Sequence, residues 1–305
     1  MEMRPQRVHE LLSDATERLE ATGSESARLD AEVLLGHVLG VDRSGLAAHP
    51  EAVLSTGQLD AYEACLERRA TGEPVAYIRG MKEFYGTAIS VDPRVLIPRP
   101  ETETLVELAL KRISDDLTST LRDDEEPYLV WDVGTGSGAI PVAVALELRR
   151  RRYGDVVRFH LTDLSGDARD VATINVVSHG LAHLVTFAEG DLTDVAPPPP
   201  RPVDLLTANL PYIPSGLMPD LPVAASFEPT VALDGGPDGL DVVRRLLAQL
   251  PQALAARGAA LLEIGSDQVE AVEAVVAETD VGWSSTVHED LSGAPRVVQL
   301  ERDDA

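Results

Sequence analysis

The stretch Leu129-Val-Trp-Asp-Val-Gly-Thr-Gly-Ser-Gly-Ala-Ile-Pro-Val-Ala-Val-Ala145 decides the fold class of this 305-residue chain. An apolar run typical of a buried strand enters three closely spaced glycines, and an apolar, helix-like segment follows at once. Glycine lets the backbone turn tightly and approach a ligand, and the N-terminus of the following helix offers free N–H groups. The stretch therefore predicts the strand, loop and helix of an α/β protein that binds a small ligand.

The glycine spacing indicates which ligand this is. Gly134, Gly136 and Gly138 form Gly-x-Gly-x-Gly, which departs from the dinucleotide pattern Gly-x-Gly-x-x-Gly. No lysine of the ATP-binding type follows, since the next basic residue is Arg149. Asp132, two residues before the first glycine, could receive a cationic amino group. A mononucleotide-like ligand with a positive end, such as S-adenosylmethionine, fits better than ATP or NAD.

Two further acids end the next predicted strands. Asp163 closes the segment Val156–Asp163 at the position where a carboxylate would accept the ribose hydroxyls. Asp191 closes the segment Leu184–Asp191, where adenine would bind. Either acid alone is more simply explained as a loop cap or a solvated turn residue. Three acids at successive strand ends favour a binding site.

A second motif, Asn209-Leu-Pro-Tyr212, follows the apolar run Val203–Ala208. An Asn side chain carries both an acceptor and a donor, so it can pair with a planar amide. Residue 210 adds a backbone carbonyl, Pro211 restricts the backbone, and Tyr212 supplies a flat face for stacking. These parts suit a planar nitrogen as methyl acceptor, although a strand followed by a proline turn explains the four residues about equally well.

The chain resembles the HemK/PrmC family, the glutamine methyltransferases that modify peptide chain release factors. The resemblance covers nearly the whole length and includes both motifs above. Three further blocks distinguish this family from other adenosylmethionine enzymes: Gly72–Gly86, Val95–Glu103, and Phe227–Thr230 together with Ala232–Asp241. The chain departs from the family at Leu210, where the motif is usually Asn-Pro-Pro-Tyr, and at Leu192, where some relatives carry an aromatic residue.

The resemblance implies a class I, Rossmann-like methyltransferase with a seven-stranded sheet and a reversed last strand. It implies a helical substrate-docking domain over residues 1–71, a connecting β-hairpin over 72–98 and a catalytic domain over 99–305. The cofactor S-adenosyl-L-methionine would contact Asp132, Gly134, Thr135, Gly136, Ser137, Gly138, Asp163, Asp191, Leu192 and Asn209. The catalytic residues would be Asn209, Leu210, Pro211 and Tyr212.

The implied reaction is methylation of the side-chain amide nitrogen of a glutamine in the Gly-Gly-Gln loop of class 1 peptide chain release factors. A ribosomal-protein glutamine methyltransferase is the nearest alternative. An adenine-N6 nucleic-acid methyltransferase uses a similar motif, and a noncatalytic cofactor-binding protein would result if Leu210 disabled the loop. The acidic charge and the block around Arg99 argue against the nucleic-acid enzyme.

The composition and charge argue against several classes of protein and site. Asp and Glu number 51 against 26 Lys and Arg, a formal net charge of -25, which argues against binding of phosphate backbones. Such a surface is also expected of a protein adapted to high salt. No leader or bilayer-length apolar run is present, which predicts a cytoplasmic protein. Cys65 is the single cysteine, and the pair His179 and His183 has no supporting acid, so no disulfide or metal site is expected.

Periodicity predicts the remaining elements. Val8, Leu11, Leu12, Ala15 and Leu19 form one helical stripe that ends at Gly23, and two further helices follow before residue 71. The acid-rich stretch from Ser114 to Glu126 is expected to be a solvated loop. The long Pro- and Gly-rich stretch 214–240 is expected to be functional, with Phe227 in the core and Glu228 orienting the tetrad.

Overall fold

The computed structural model describes residues 7–119, 126–279 and 282–302. The backbone divides into two compact units. Of these residues, the first unit contains those up to Met81 together with Pro222–Phe227, and the second contains those from Lys82 to Leu221 and from Glu228 onward.

The first unit is helical. The predicted stripe of α1 is buried in full, which confirms that helix. Ser55 accepts a hydrogen bond from the Gln58 N–H, and Gln58 bonds back to the Ser55 backbone, so a capping box starts α4. Two short helices were not predicted. The helices are α1 Val8–Ala21, α2 Ala27–Leu39, α3 Arg43–Ala48, α4 Thr56–Ala70 and α5 Val75–Arg79.

The core of this unit lies between α1, α2 and α4. Tyr62 is fully buried, and its hydroxyl donates to the Ala31 carbonyl at 3.0 Å. Asp30 is also buried, and it accepts from Arg69 at 2.8 Å and from Ser24 and Ser26. Each buried polar group of this set therefore has a partner, as stable burial requires.

The second unit is an α/β domain that begins with a two-stranded hairpin. Its strands and helices alternate along the chain, as the glycine stretch predicts for parallel strand pairing. The elements are β1 Met81–Phe84, β2 Thr87–Ser90, α6 Glu103–Ser119, β3 Tyr128–Val133, α7 Ala139–Arg150, β4 Val157–Asp163, α8 Gly166–Ser178, β5 Val185–Asp191, β6 Asp194–Ala196, β7 Val203–Ala208, α9 Asp241–Ala253, β8 Leu254–Glu263, α10 Val269–Ala277, β9 Trp283–Glu289 and β10 Pro295–Arg302.

The main sheet has the order β6-β5-β4-β3-β7-β8-β10-β9. Strands β5, β4, β3, β7 and β8 are mutually parallel, and β10 runs antiparallel to β8. The last strand is therefore reversed, as predicted. The sheet has one strand more than the seven expected, because the three-residue β6 adds an antiparallel edge next to β5. The strand order changes direction at β3, so the crevice beyond its carboxyl end is the expected ligand site.

Three local predictions were wrong. Helix α6 continues to Ser119, because Asp116 accepts from Arg112 at 2.8 Å and from the Tyr128 hydroxyl at 2.7 Å instead of facing solvent; residues 120–125 lie outside the described residues. The strands of the predicted 72–98 hairpin occupy only 81–84 and 87–90, after α5. Phe227 is half-buried and does not belong to the core.

In the part of the chain that the structure describes, no helix combines the length and apolar character needed to cross a membrane. Within the same residues, no group of three or more His, Cys, Asp or Glu side chains is arranged to hold a metal ion.

Candidate active site

A cavity of about 730 Å³ opens in the second unit, where β3, β4, β5 and β7 end. Its volume is within the range of small-molecule sites. Most of the predicted site residues line it, although they come from four separate loops. The predicted residues in the lining are Gly134, Thr135, Gly136, Ser137, Asp163, Asp191, Leu192, Asn209, Leu210 and Pro211. Asp132, Gly138 and Tyr212 are outside this lining.

The three glycines of the first loop have positive φ, between 53° and 75°, which disfavours any other residue. A Cβ at Gly136 would meet no atom within 4 Å, so this position faces open space. A Cβ at Gly134 would lie 3.0 Å from Leu210 Cδ2, and one at Gly138 would lie 3.2 Å from Ala172 Cβ. Gly136 therefore leaves room for a ligand, while Gly134 and Gly138 allow close packing.

Asp163 joins the glycine loop to the end of β4. One carboxylate oxygen accepts from the Gly136 N–H at 2.8 Å, and the other accepts from the Ser165 N–H at 2.9 Å. Burial raises the pKa of this carboxyl, and these backbone donors oppose the shift. A carboxylate offers about four acceptor positions. Two of them are used by the backbone, so Asp163 retains capacity for ligand hydroxyls.

Asp132 is almost fully buried at the end of β3. Its Oδ1 accepts from the Thr207 hydroxyl at 2.6 Å, and its Oδ2 is buried without a hydrogen-bond partner among the described residues. Burial raises the pKa of Asp132 to about 6. A buried acceptor with no partner is unfavourable by itself. The group is thus suited to a cationic ligand, and direct contact with an amino group stays a prediction.

Asp191 is the last residue of β5, and Leu192 and Thr193 form the turn from β5 to β6. Asp191 is paired with Arg245 of α9, which also lines the cavity. Leu192 is buried with φ of 59°, a left-handed conformation uncommon for leucine, and the Gln249 side chain accepts from the adjacent Thr193 N–H at 2.9 Å. Contacts to α9 therefore hold this turn at the cavity edge. Arg245 could not be identified from sequence, since it lies 54 residues from Asp191.

Asn209 is the first residue after β7. Its amide nitrogen donates to the Thr102 hydroxyl at 3.1 Å. Because the amide nitrogen faces Thr102, the Asn209 carbonyl oxygen is the atom left to accept from a ligand. Leu210 is buried, and its side chain contacts the Gly134 position. The Leu210 side chain therefore packs against the first glycine loop.

The loop after the tetrad is fixed by close backbone contacts. A Cβ at Gly235 would lie 2.7 Å from the Pro211 carbonyl oxygen, and one at Gly239 would lie 2.2 Å from that of Tyr212. The Gln268 amide donates to the same Tyr212 carbonyl at 2.9 Å. The glycines of the block Ala232–Asp241 therefore let a second chain segment lie directly against the tetrad backbone.

Glu228 does not orient the tetrad, contrary to the prediction. Its buried carboxylate accepts from the Ile97 N–H at 3.1 Å and pairs with Arg99 at 2.5 Å. It therefore joins two of the distinguishing sequence blocks to each other. Burial raises the pKa of the half-buried Tyr212, and the stacking role of that residue stays a prediction.

Sequence reasoning missed three residues that lie beside the tetrad or its backbone. Thr102 lies within the block Val95–Glu103, which is the signal that could have identified it. Glu263 ends the buried strand β8, where a lone acid after four apolar residues is unusual. Gln268 follows this strand and has no comparable sequence signal.

The parallel sheet with its reversed last strand, and a cavity beyond the strand ends, define the class I, Rossmann-like methyltransferase fold. The solved hMettl16 catalytic domain in complex with MAT2A 3'UTR hairpin 6 shares this fold, with a TM-score of 0.53 over 84% of this chain and 87% of that chain. The two are 14% identical, so the likeness concerns the fold alone.

Sequence comparisons give the family. Residues 10–80 match the PrmC N-terminal domain family. The chain is 39% identical to the release factor glutamine methyltransferase of Moorella thermoacetica, over 95% of this chain and 96% of that protein. It is 37% identical to the enzyme of the same name from Rhodopirellula baltica, over 98% of this chain and 97% of that protein. The chain therefore belongs to the release factor glutamine methyltransferase family.

Proposed function

We propose that this protein transfers a methyl group from S-adenosyl-L-methionine to the side-chain amide nitrogen of a glutamine in the Gly-Gly-Gln loop of class 1 peptide chain release factors. The observation that supports it most is the similarity to release factor glutamine methyltransferases over nearly the full length of both chains. A protein acting on translation factors would work in the cytoplasm. We assign release-factor docking to the N-terminal helical region, residues 1–71.

The cavity residues fit the proposed cofactor. Asp163 retains acceptor capacity for ribose hydroxyls, and open space lies over Gly136. The unpartnered oxygen of Asp132 is an acceptor suited to an ammonium group. The remaining proposed contacts are the glycine-loop residues, Asp191, the Leu192 backbone and Asn209. When bound, the cofactor supplies an electrophilic methyl group on a sulfonium.

The tetrad would hold the acceptor amide. A carboxamide nitrogen is a poor nucleophile, because its lone pair is delocalised into the carbonyl. If Asn209 Oδ1 and the Leu210 carbonyl accept its two N–H bonds, the nitrogen is oriented for in-line attack. A protonated amide is a strong acid, so no dedicated general base is needed. Leu210 supplies the same backbone carbonyl as proline, so the substitution is compatible with activity.

The alternative substrates are less well supported. The relatives named above are release factor enzymes, which favours a release factor over a ribosomal protein as the substrate. The formal charge of -25 disfavours a nucleic-acid substrate. We therefore propose that the protein does not bind nucleic acid directly.

Incubation with labelled cofactor and, separately, a release factor, a ribosomal protein and DNA tests these assignments. We expect label on the glutamine of the Gly-Gly-Gln loop only. Asn209→Ala should abolish transfer but leave cofactor binding nearly intact, because Asn209 is one of several proposed cofactor contacts. His183→Ala, outside the cavity lining, should behave as wild type. Label on DNA or on the ribosomal protein, with none on the release factor, would show the proposal to be wrong.

A further inference from the structure

Glu263 is a buried acid beside the proposed acceptor site. It is 2% exposed at the end of β8, after the buried residues Ala259–Leu262. Neither of its carboxylate oxygens has a hydrogen-bond partner among the described residues. Burying a carboxylate in this way is costly.

Glu263 and Asn209 lie next to each other, because they directly follow the paired residues Ala208 and Leu262 of the parallel strands β7 and β8. Burial raises the pKa of Glu263 to about 7, and the nearby Thr102 hydroxyl and Asn209 side chain act in the opposite direction. Among charged groups, Arg296 of β10 also lowers this pKa and Glu101 raises it. Glu263 in turn contributes to the raised pKa of the Tyr212 hydroxyl. Glu263 is thus coupled to two tetrad residues.

The Thr102 hydroxyl is a hydrogen-bond donor available to Glu263. The Asn209 amide nitrogen donates to Thr102 Oγ1 at 3.1 Å, so the Thr102 hydroxyl proton is free to point elsewhere. An ionised carboxylate only accepts hydrogen bonds. With Glu263 ionised, Thr102 can donate to it, and a reversed Asn209 would place its carbonyl oxygen towards a negative charge. A protonated Glu263 carries no negative charge, so it no longer disfavours the reversed Asn209. Its own O–H can also donate a hydrogen bond.

We propose that Glu263 is a positioning residue, whose ionised carboxylate acts through Thr102 to hold Asn209 with its amide nitrogen inward and its Oδ1 towards the acceptor amide. The inference depends on the proposed function, because it concerns the same acceptor site. Turnover requires the ionised form, so kcat falls as the pH decreases through the pKa of Glu263. Cofactor binding does not require it.

The test measures kcat on a release factor at saturating cofactor between about pH 5.5 and 9, with the cofactor Kd measured by calorimetry. Glu263→Gln preserves the shape and removes the ionisation. We expect its kcat at pH 8 to fall about ten- to a hundredfold, as for a misplaced catalytic group. Its cofactor Kd should stay within about twofold of wild type, and the acid limb of the wild-type profile should disappear.

Thr102 provides a second, independent pair of variants. Thr102→Val removes the hydroxyl with little change in volume, and we expect a loss of kcat similar to that of Glu263→Gln. Thr102→Ser keeps the hydroxyl and should retain near wild-type kcat. This pair tests the proposal even if Glu263→Gln does not fold. Equal activities of the valine and serine variants would show that Glu263 does not act on Asn209 through the Thr102 hydroxyl.

The outcomes separate the two proposals. Wild-type kcat in Glu263→Gln, or a reduced kcat with the acid limb unchanged, would show that Glu263 does not position Asn209. A wild-type protein that binds the cofactor but does not methylate release factor would instead overturn the proposed function.

Discussion

Replacement of Gly239 by alanine tests how the block Ala232–Asp241 supports the tetrad. Gly239 has φ of 80°, and a Cβ there would lie 2.2 Å from the Tyr212 carbonyl oxygen and 2.7 Å from the Gln268 amide nitrogen. Real Cβ atoms do not approach other atoms so closely. The alanine must therefore displace the Tyr212 carbonyl and break its hydrogen bond from Gln268.

The size of the effect follows from two contributions. The left-handed conformation costs an alanine about 1–2 kcal/mol relative to glycine. Loss of the bond to Tyr212 leaves the buried Gln268 amide unsatisfied, which costs about 1–3 kcal/mol more. We therefore expect Gly239→Ala to lower the free energy of unfolding by about 2–5 kcal/mol.

Gly293→Ala is the matched control. Gly293 has φ of 83°, and a Cβ there would meet nothing within 4 Å, so this variant carries the conformational cost alone. Urea unfolding of both variants isolates the contact, and we expect a further loss in Gly239→Ala of about 1–3 kcal/mol. Release-factor methylation should fall about a hundredfold in Gly239→Ala, with cofactor Kd retained. Equal unfolding free energies for the two variants would refute the reasoning.

Three other predictions follow from charge. If Asp132 binds the cofactor amino group, the wild-type cofactor Kd should rise as the pH falls through about 6. Asp132→Asn should bind the cofactor weakly at every pH. A wild-type cofactor Kd for that variant, measured by calorimetry, would exclude the contact. The folded pKa of Glu263 is raised from 4.5 to about 7, so its contribution to stability is present below about pH 4.5 and is lost as the pH rises through 7. Glu263→Gln should thus be more stable than wild type at pH 8, with a free energy of unfolding, measured by urea denaturation, higher by on the order of 1–3 kcal/mol. A variant less stable than wild type at this pH would contradict the prediction. If the net charge of -25 reflects salt adaptation, the thermal unfolding midpoint should rise from low to molar potassium chloride, and a flat curve would disprove it.

Local sequence patterns predicted most of the second unit, because runs of apolar residues and the glycines that end them depend on neighbouring positions in the chain. The run from Leu129 into Gly134 corresponds to β3 and its loop, and the run Val203–Ala208 corresponds to β7. Prediction failed where a distant partner changes the local preference. The acids after Ser114 suggest a solvated loop, but contacts from Arg112 and Tyr128 to Asp116 keep that segment helical.

The candidate site shows the same division. Glycines with positive φ and acids after strands are dictated by local backbone geometry, so Gly136 and Asp163 could be named in advance. Glu228 could be noticed but not placed, because its partners Ile97 and Arg99 lie about 130 residues earlier.

The amino-acid sequence by itself determined the fold class, the family and the loops that form the cavity, since each depends on residues close together in the chain. Only the tertiary structure decided which way Asn209 points, that Arg245 pairs with Asp191, and that an unpartnered Glu263 lies beside Thr102. These contacts join residues 54 to 161 positions apart. Their energies depend on burial and direction, which arise only once the sheet has brought its strand ends together.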